Sequence, residues 1–150
     1  MTEMLFYHLQ GQRIEGVLPT LLEKSLERGW RVVVQGVSEE RIDALDAHLW
    51  TYRDDGFLPH GTWREPEAQA QPVLLTVNDG NPNSADVRFL IEGAEVPADA
   101  EGYRRIVLLF DGDDDDAVAA ARAHWSDAKA KGFEVTYWQL DDRGRWVKKA

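Results

Sequence analysis

Few residues in this 150-residue chain stand at spacings that could do chemistry, and each arrangement lacks a part its chemistry needs. Gly11-Gln12-Arg13-Ile14-Glu15-Gly16 follows the first apolar run with the glycine spacing of a phosphate loop. Val17 and Leu18 stand where lysine and Ser/Thr would have to reach the phosphates and magnesium, and no G-x-G-x-x-G follows any expected strand. Asp111-Gly112-Asp113-Asp114-Asp115-Asp116 invites a calcium loop, which would need glycine sixth and glutamate twelfth; Asp116 and Arg122 occupy those places. Acidic residues opening a helix satisfy its free N–H groups and dipole, and that is the expectation for this run. The four histidines, His8, His48, His60 and His124, form no H-x-x-x-H or H-x-E pair, and no serine lies in G-x-S-x-G. No catalytic residue, metal or cofactor is expected.

Charge narrows the partners. The formal net charge is −10, a field that repels a phosphate backbone, so DNA is expected only indirectly, through other proteins. The balance is uneven, with the aspartate run facing a basic C-terminal stretch of Lys129, Lys131, Arg143, Arg145, Lys148 and Lys149. A basic patch on an acidic chain suits an acidic peptide better than a long polyanion. Cysteine is absent, which excludes disulfides and thiolate chemistry and suits a cytoplasmic setting. No apolar run approaches the roughly 18 residues of a membrane span, and Met1–Leu5 lacks the features of a secretory signal.

The elements that must position these residues alternate. Met4–Leu9 reads as a strand, Gly16–Arg28 as a helix closed by Gly29, and Trp30–Gln35 as a buried β-branched strand. Ser38 is a plausible N-cap for a helix running to Trp50, and residues 51–71 look irregular. Pro72–Val77, Val87–Ile91 and Arg105–Phe110 read as further strands. An alanine-rich helix over Asp113–Lys131 is stopped by Gly132. Phe133–Leu140 and Arg145–Lys148 then form strands joined by a turn at Asp141–Gly144. With 43% hydrophobic residues and no linker, 1–150 is expected to be one three-layer, Rossmann-like α/β domain. Its central sheet should be mostly parallel, with helices on both faces and strands at 30–35, 73–77, 87–91 and 105–110.

Three groups of segments carry a resemblance. Phe6-Tyr7-His8-Leu9 precedes an apolar helix and Gly29-Trp30-Arg31-Val32-Val33-Val34. Leu45-Asp46-Ala47-His48-Leu49-Trp50 is followed by Asp55-Gly56-Phe57-Leu58-Pro59-His60 and Gln71-Pro72-Val73. Ala121-Arg122-Ala123-His124-Trp125 leads to Lys129-Ala130-Lys131-Gly132-Phe133 and Tyr137-Trp138-Gln139. In that order they resemble the chi subunit family of bacterial DNA polymerase III holoenzyme, and L-D-x-x-L-W…F-x-P-H is the most specific part. The resemblance implies a non-catalytic adaptor of the clamp-loader assembly. One surface would hold the psi subunit or an accessory helicase, matched here by Trp50, Phe57, Leu58, Pro59 and His60. Another would take the acidic C-terminal tail of single-stranded-DNA-binding protein, matched by Arg122 and Trp125. The family often has lysine four residues before that arginine. Here Val118 stands there, and Lys129 and Lys131 are the nearest candidates to compensate.

Helical spacing bears on that site independently. Val118, Arg122, Trp125 and Lys129 fall at i, i+4, i+7 and i+11, one stripe beside Ala117, Ala121, His124 and Ala128. Close packing of the alanines on the sheet would turn the Arg–Trp–Lys stripe partly outward, offering cations to carboxylates and an apolar wall to a ring. On residue type alone, Trp125 as plain core with Arg122 a solvated charge remains open. So does a satellite cluster in which Trp50 and Phe57 pin the 51–71 segment. The rival class is a Rossmann-like enzyme acting on a nucleotide or phosphate, against which the missing motifs weigh.

Overall fold

A computed structural model describes residues 2–53, 58–141 and 143–150. Its strands are β1 (Glu3–Leu9), β2 (Val32–Gln35), β3 (His60–Thr62), β4 (Val73–Thr76), β5 (Val87–Leu90), β6 (Arg105–Asp111), β7 (Glu134–Leu140) and β8 (Trp146–Lys148). The helices are α1 (Ile14–Glu27), α2 (Glu39–Thr51) and α3 (Asp115–Ala130). All eight strands join one sheet in the order β3-β4-β2-β5-β6-β1-β7-β8, parallel throughout except for the β7–β8 hairpin.

Strand pleating divides the core into two layers. Leu5 and Leu9 of β1, Val32 and Val34 of β2 and Val107 and Leu109 of β6 point to the face covered by Leu18, Leu22, Ile42 and Leu49 of α1 and α2. Their alternates Met4, Phe6, Val33, Ile106 and Leu108 point to the face covered by Ala121 and Ala128 of α3. With both faces dry, these strands carry apolar side chains at nearly every position, which is why they read as continuous runs. The three-layer parallel architecture is as expected.

Two local differences have physical causes. The first helix begins at Ile14 rather than Gly16, because the Gly16 N–H already turns back to the Arg13 carbonyl at 3.0 Å. Within residues 51–71, read as irregular, His60–Thr62 forms a short edge strand parallel to β4. That pairing is non-local and leaves no periodicity in three residues. The far end of α3 closes as its sequence suggests: Gly132 takes φ +84°, its N–H reaches the Lys129 carbonyl at 3.1 Å, and the Phe133 N–H reaches Ala128 at 3.0 Å.

Arg88 is the unexpected member of the core. It stands fully buried in β5, on the α3 face. Its guanidinium donates to Gln35 Oε1 at 2.6 and 3.1 Å, to the Asn78 and Gly80 carbonyls at 2.7 and 2.9 Å, and to the Tyr103 hydroxyl at 2.9 Å. A planar five-donor group can satisfy several acceptors at once, so one side chain ties the 78–80 turn to the sheet.

Candidate functional site

The α3 surface is built from its cap downward. Asp114 is the N-cap, and its carboxylate accepts the Asp116 and Ala117 N–H groups at 2.9 and 3.3 Å. Ala121 and Ala128 lie against the sheet while Arg122, Lys129 and Lys131 are exposed and Val118 and Trp125 are half-buried. Trp125 meets Phe6 edge-on, ring centroids 5.3 Å apart at 64°, and Tyr137 at 6.1 Å and 77°. Such edge contacts are worth about 0.5–1.5 kcal/mol each beyond burial. They fix the indole as a wall rather than a free side chain. Lys129 Nζ stands 5.4 Å from the same ring. Lys131 is committed to Asp127 at 2.9 Å, whereas Arg122 makes no ion pair among the described residues. Burial raises the Tyr137 hydroxyl above the ordinary tyrosine range, and the nearby Arg122 charge opposes the shift. The structure therefore brings Arg122, Trp125 and Lys129 together beside an apolar Val118, and it adds Tyr137, which was singled out only as part of a segment.

Tyr137 is itself held from the sheet. Its hydroxyl is hydrogen-bonded to His8 Nδ1, and the other ring nitrogen of His8 is buried without a partner among the described residues. A Cβ at Gly112 would collide with that imidazole, so a larger residue there would have to displace the ring. Desolvation lowers the His8 pKa, opposed by the carboxylates of Asp113 and Asp111.

The second surface is the C-terminal end of α2. Ser38 caps the helix by accepting the Arg41 N–H at 3.3 Å, and Trp50 in the last turn is 53% exposed. Beneath it, His60 is 4% exposed and lies 4.6 Å from the indole, centroid to centroid. Its Nδ1 lies 2.7 Å from the Leu58 carbonyl, and its Nε2 lies 3.2 Å from the Asp46 carbonyl and 3.1 Å from the Asp46 carboxylate. Burial raises the Asp46 carboxyl, and the adjacent His60 opposes the shift. Of the five residues expected to contact a partner, Leu58 and His60 thus turn inward, Leu58 at 2% exposure. They support the surface instead of forming it, because each fills the space under the 58–60 segment. Trp50 and Pro59 reach solvent, and Phe57 lies outside the described residues.

The crevice where an α/β fold would seat a nucleotide lies between β1 and β6. There the chain leaves β1 for the α1 face and β6 for the α3 face. A cleft of about 760 Å³ opens at this point, lined by Arg13 and Arg41 as well as by Glu15, Asp111, Asp114 and Asp116. Asp113 Oδ2 accepts the Gly11 N–H at 3.1 Å, Asp114 caps α3, and Arg41 is paired with Glu15 and Glu92 at 2.6 and 2.9 Å. Carboxylates stand at both helix starts, Glu15 on α1 and Asp114 to Asp116 on α3, where such a crevice normally receives a phosphate.

Fold and surfaces together define a doubly wound α/β domain whose switch-point crevice is lined by acids and arginines together. The family model described as "DNA polymerase III chi subunit, HolC" matches residues 1–136, and the chain belongs to that family. It is 25% identical over 117 residues to the probable DNA polymerase III subunit chi of Rickettsia prowazekii, covering 74% of this chain and 71% of that one. It is 29% identical over 89 residues to the DNA polymerase III subunit chi of Pseudomonas aeruginosa, covering 59% and 61%. The chain thus spans less than two thirds of the second relative's length. Membership places the protein in DNA replication as an accessory polymerase III subunit. Among the described residues, no helix is long and apolar enough to cross a membrane.

Proposed function

We propose that this chain is a non-catalytic adaptor of the clamp-loader assembly that binds the acidic C-terminal tail of single-stranded-DNA-binding protein on α3. A second partner, the psi subunit or an accessory helicase, docks at the end of α2, and contact with DNA is indirect. The observation that carries the tail reading is Arg122, exposed and without an ion pair among the described residues, one turn from Trp125, whose indole is locked between Phe6 and Tyr137 with Lys129 above it. A cation beside a rigid aromatic wall suits a peptide that is acidic and ends in an apolar side chain and a carboxylate. Its affinity should fall with salt, because part of it is charge pairing across a solvated surface.

The half-exposed indole of Trp50, braced by buried His60, supports the second docking surface. A rigid aromatic at a helix end loses little entropy on binding and often dominates an interface. The adaptor works in the cytoplasm, where both partners meet DNA. Calorimetric titration with a synthetic tail peptide of the cognate single-stranded-DNA-binding protein tests the main reading. Saturable, salt-sensitive binding is expected, and loss of binding when the terminal phenylalanine is removed. A peptide that shows no heat at low salt would falsify it.

A further inference from the structure

Cations at three places could join Arg122 on the α3 surface, and two of those places are already engaged. Lys131 is paired with Asp127 at 2.9 Å. Lys129 stands over the Trp125 ring, on the far side of the indole along the helix from Arg122 and Val118. The remaining source is the β7–β8 hairpin, most of which lies beyond the 1–136 stretch that the family model covers.

Its register decides which lysine counts. In the antiparallel ladder Trp138 stands opposite Lys148 and Gln139 opposite Val147, and the chain beyond Lys148 runs on beside Tyr137. The Lys149 N–H donates to the Tyr137 carbonyl at 2.7 Å and the Tyr137 N–H donates to the Ala150 carbonyl at 3.2 Å, so Lys149 and Ala150 both stand opposite Tyr137, as in a bulge. Paired residues point to the same face. Trp138 packs with the α1–α2 side of the core and Tyr137 with the α3 side. Lys148 is therefore on the wrong face, and Lys149 is on the face of Tyr137, Trp125 and Arg122. Lys149 is exposed and makes no ion pair among the described residues.

We infer that the C-terminal hairpin completes the acidic-peptide site, with Lys149 as its second cation and Tyr137 as its second aromatic wall. This rests on the tail-binding reading above. The peptide's apolar end is held against Trp125 and Tyr137, and its carboxylates are shared between Arg122 on the helix and Lys149 on the strand. Two elements thus grip the ligand from either side of the aromatic pair.

The test uses the full chain and a fluorescein-labelled run of aspartates ending in phenylalanine with a free carboxylate, read by anisotropy. Lys149→Ala should weaken binding about two- to fivefold at low salt, the range of an exposed ion pair, and flatten the salt dependence. Lys149→Arg should bind normally. Lys148→Ala, which removes the same charge one residue away on the opposite face, should leave affinity unchanged. Val118→Lys in the Lys149→Ala background should restore what was lost, since either lysine supplies the missing charge. Equal losses in Lys148→Ala and Lys149→Ala would show only a general field effect and overturn the inference. So would Lys149→Ala binding as the parent does while Arg122→Ala fails, an outcome that leaves the tail reading standing. If the parent chain does not bind the peptide, the tail reading itself falls.

Discussion

Trp50 and His60 lie with ring centroids 4.6 Å apart, yet the indole is half in solvent and the imidazole is sealed beneath it. The partition of roles follows from that tilted contact. Trp50 presents surface, and His60, bonded to the Leu58 carbonyl and to Asp46, holds the segment that supports it.

Substitutions at this pair should therefore separate. Trp50→Ala is expected to weaken capture of the psi subunit or helicase by tenfold or more, as for an interface hot spot, with little change in melting temperature. His60→Ala should instead lower stability by about 1–3 kcal/mol, because buried oxygens at Leu58 and Asp46 lose their partner. Thermal melts alongside pull-downs distinguish the two. A Trp50→Ala protein that melts much earlier would make the indole a structural residue.

On α3, Arg122→Ala should cost about 1.5–3 kcal/mol of tail-peptide binding, typical of a hydrogen bond to a charged group, or roughly one to two decades in affinity. Val118→Lys in the parent chain should tighten binding and steepen its salt dependence. Stability should barely move in Arg122→Ala, since that side chain is exposed and unpaired among the described residues. Unchanged affinity in Arg122→Ala, with the peptide still binding, would put the site elsewhere.

Arg88→Met keeps an unbranched apolar stem, shorter than arginine's, and removes every donor. It should leave the Asn78 and Gly80 carbonyls, Gln35 Oε1 and the Tyr103 hydroxyl without their shared partner. We expect a loss of about 3 kcal/mol or more in urea unfolding at neutral pH, with peptide affinity of the surviving folded protein unaltered. A neutral result would mean that the 78–80 turn is held by other contacts.

His8 sets a pH dependence whose sign is fixed by burial. Desolvation depresses its pKa in the folded chain, so the unfolded chain takes up the proton first as pH falls. Its contribution to stability is full above the unfolded value of about 6.5 and is lost as pH drops through the lower folded value. His8→Gln should flatten the stability profile between roughly pH 7 and 5 relative to the parent. Parallel profiles for the two proteins would show that His8 is not the group responsible.

Much of this protein was legible in one dimension because the deciding interactions are local. The runs at Val32–Val34 and Ile106–Phe110 announce strands buried on both faces, and Ser38, Asp114 and Gly132 mark helix ends with their own caps. The i, i+4, i+7 spacing of Val118, Arg122 and Trp125 needs only a helix to become a shared face, and Ala121 and Ala128 show which side the sheet takes. The resemblance in Leu45–Trp50 and Ala121–Trp125 carried the family.

What tertiary structure alone decided depends on residues far apart in sequence meeting with a definite parity. Nothing local makes Leu58 and His60 face inward while Trp50 faces out; that follows from β3 pairing with β4 and from Asp46 lying beneath. Nothing local marks Arg88 as core, because its acceptors arrive from β2, the 78–80 turn and Tyr103. Lys148 and Lys149 are adjacent and chemically equal in the sequence. Only the β7–β8 register sets Lys148 opposite Trp138 while the Lys149 N–H bonds to the Tyr137 carbonyl, next to a residue of the other face.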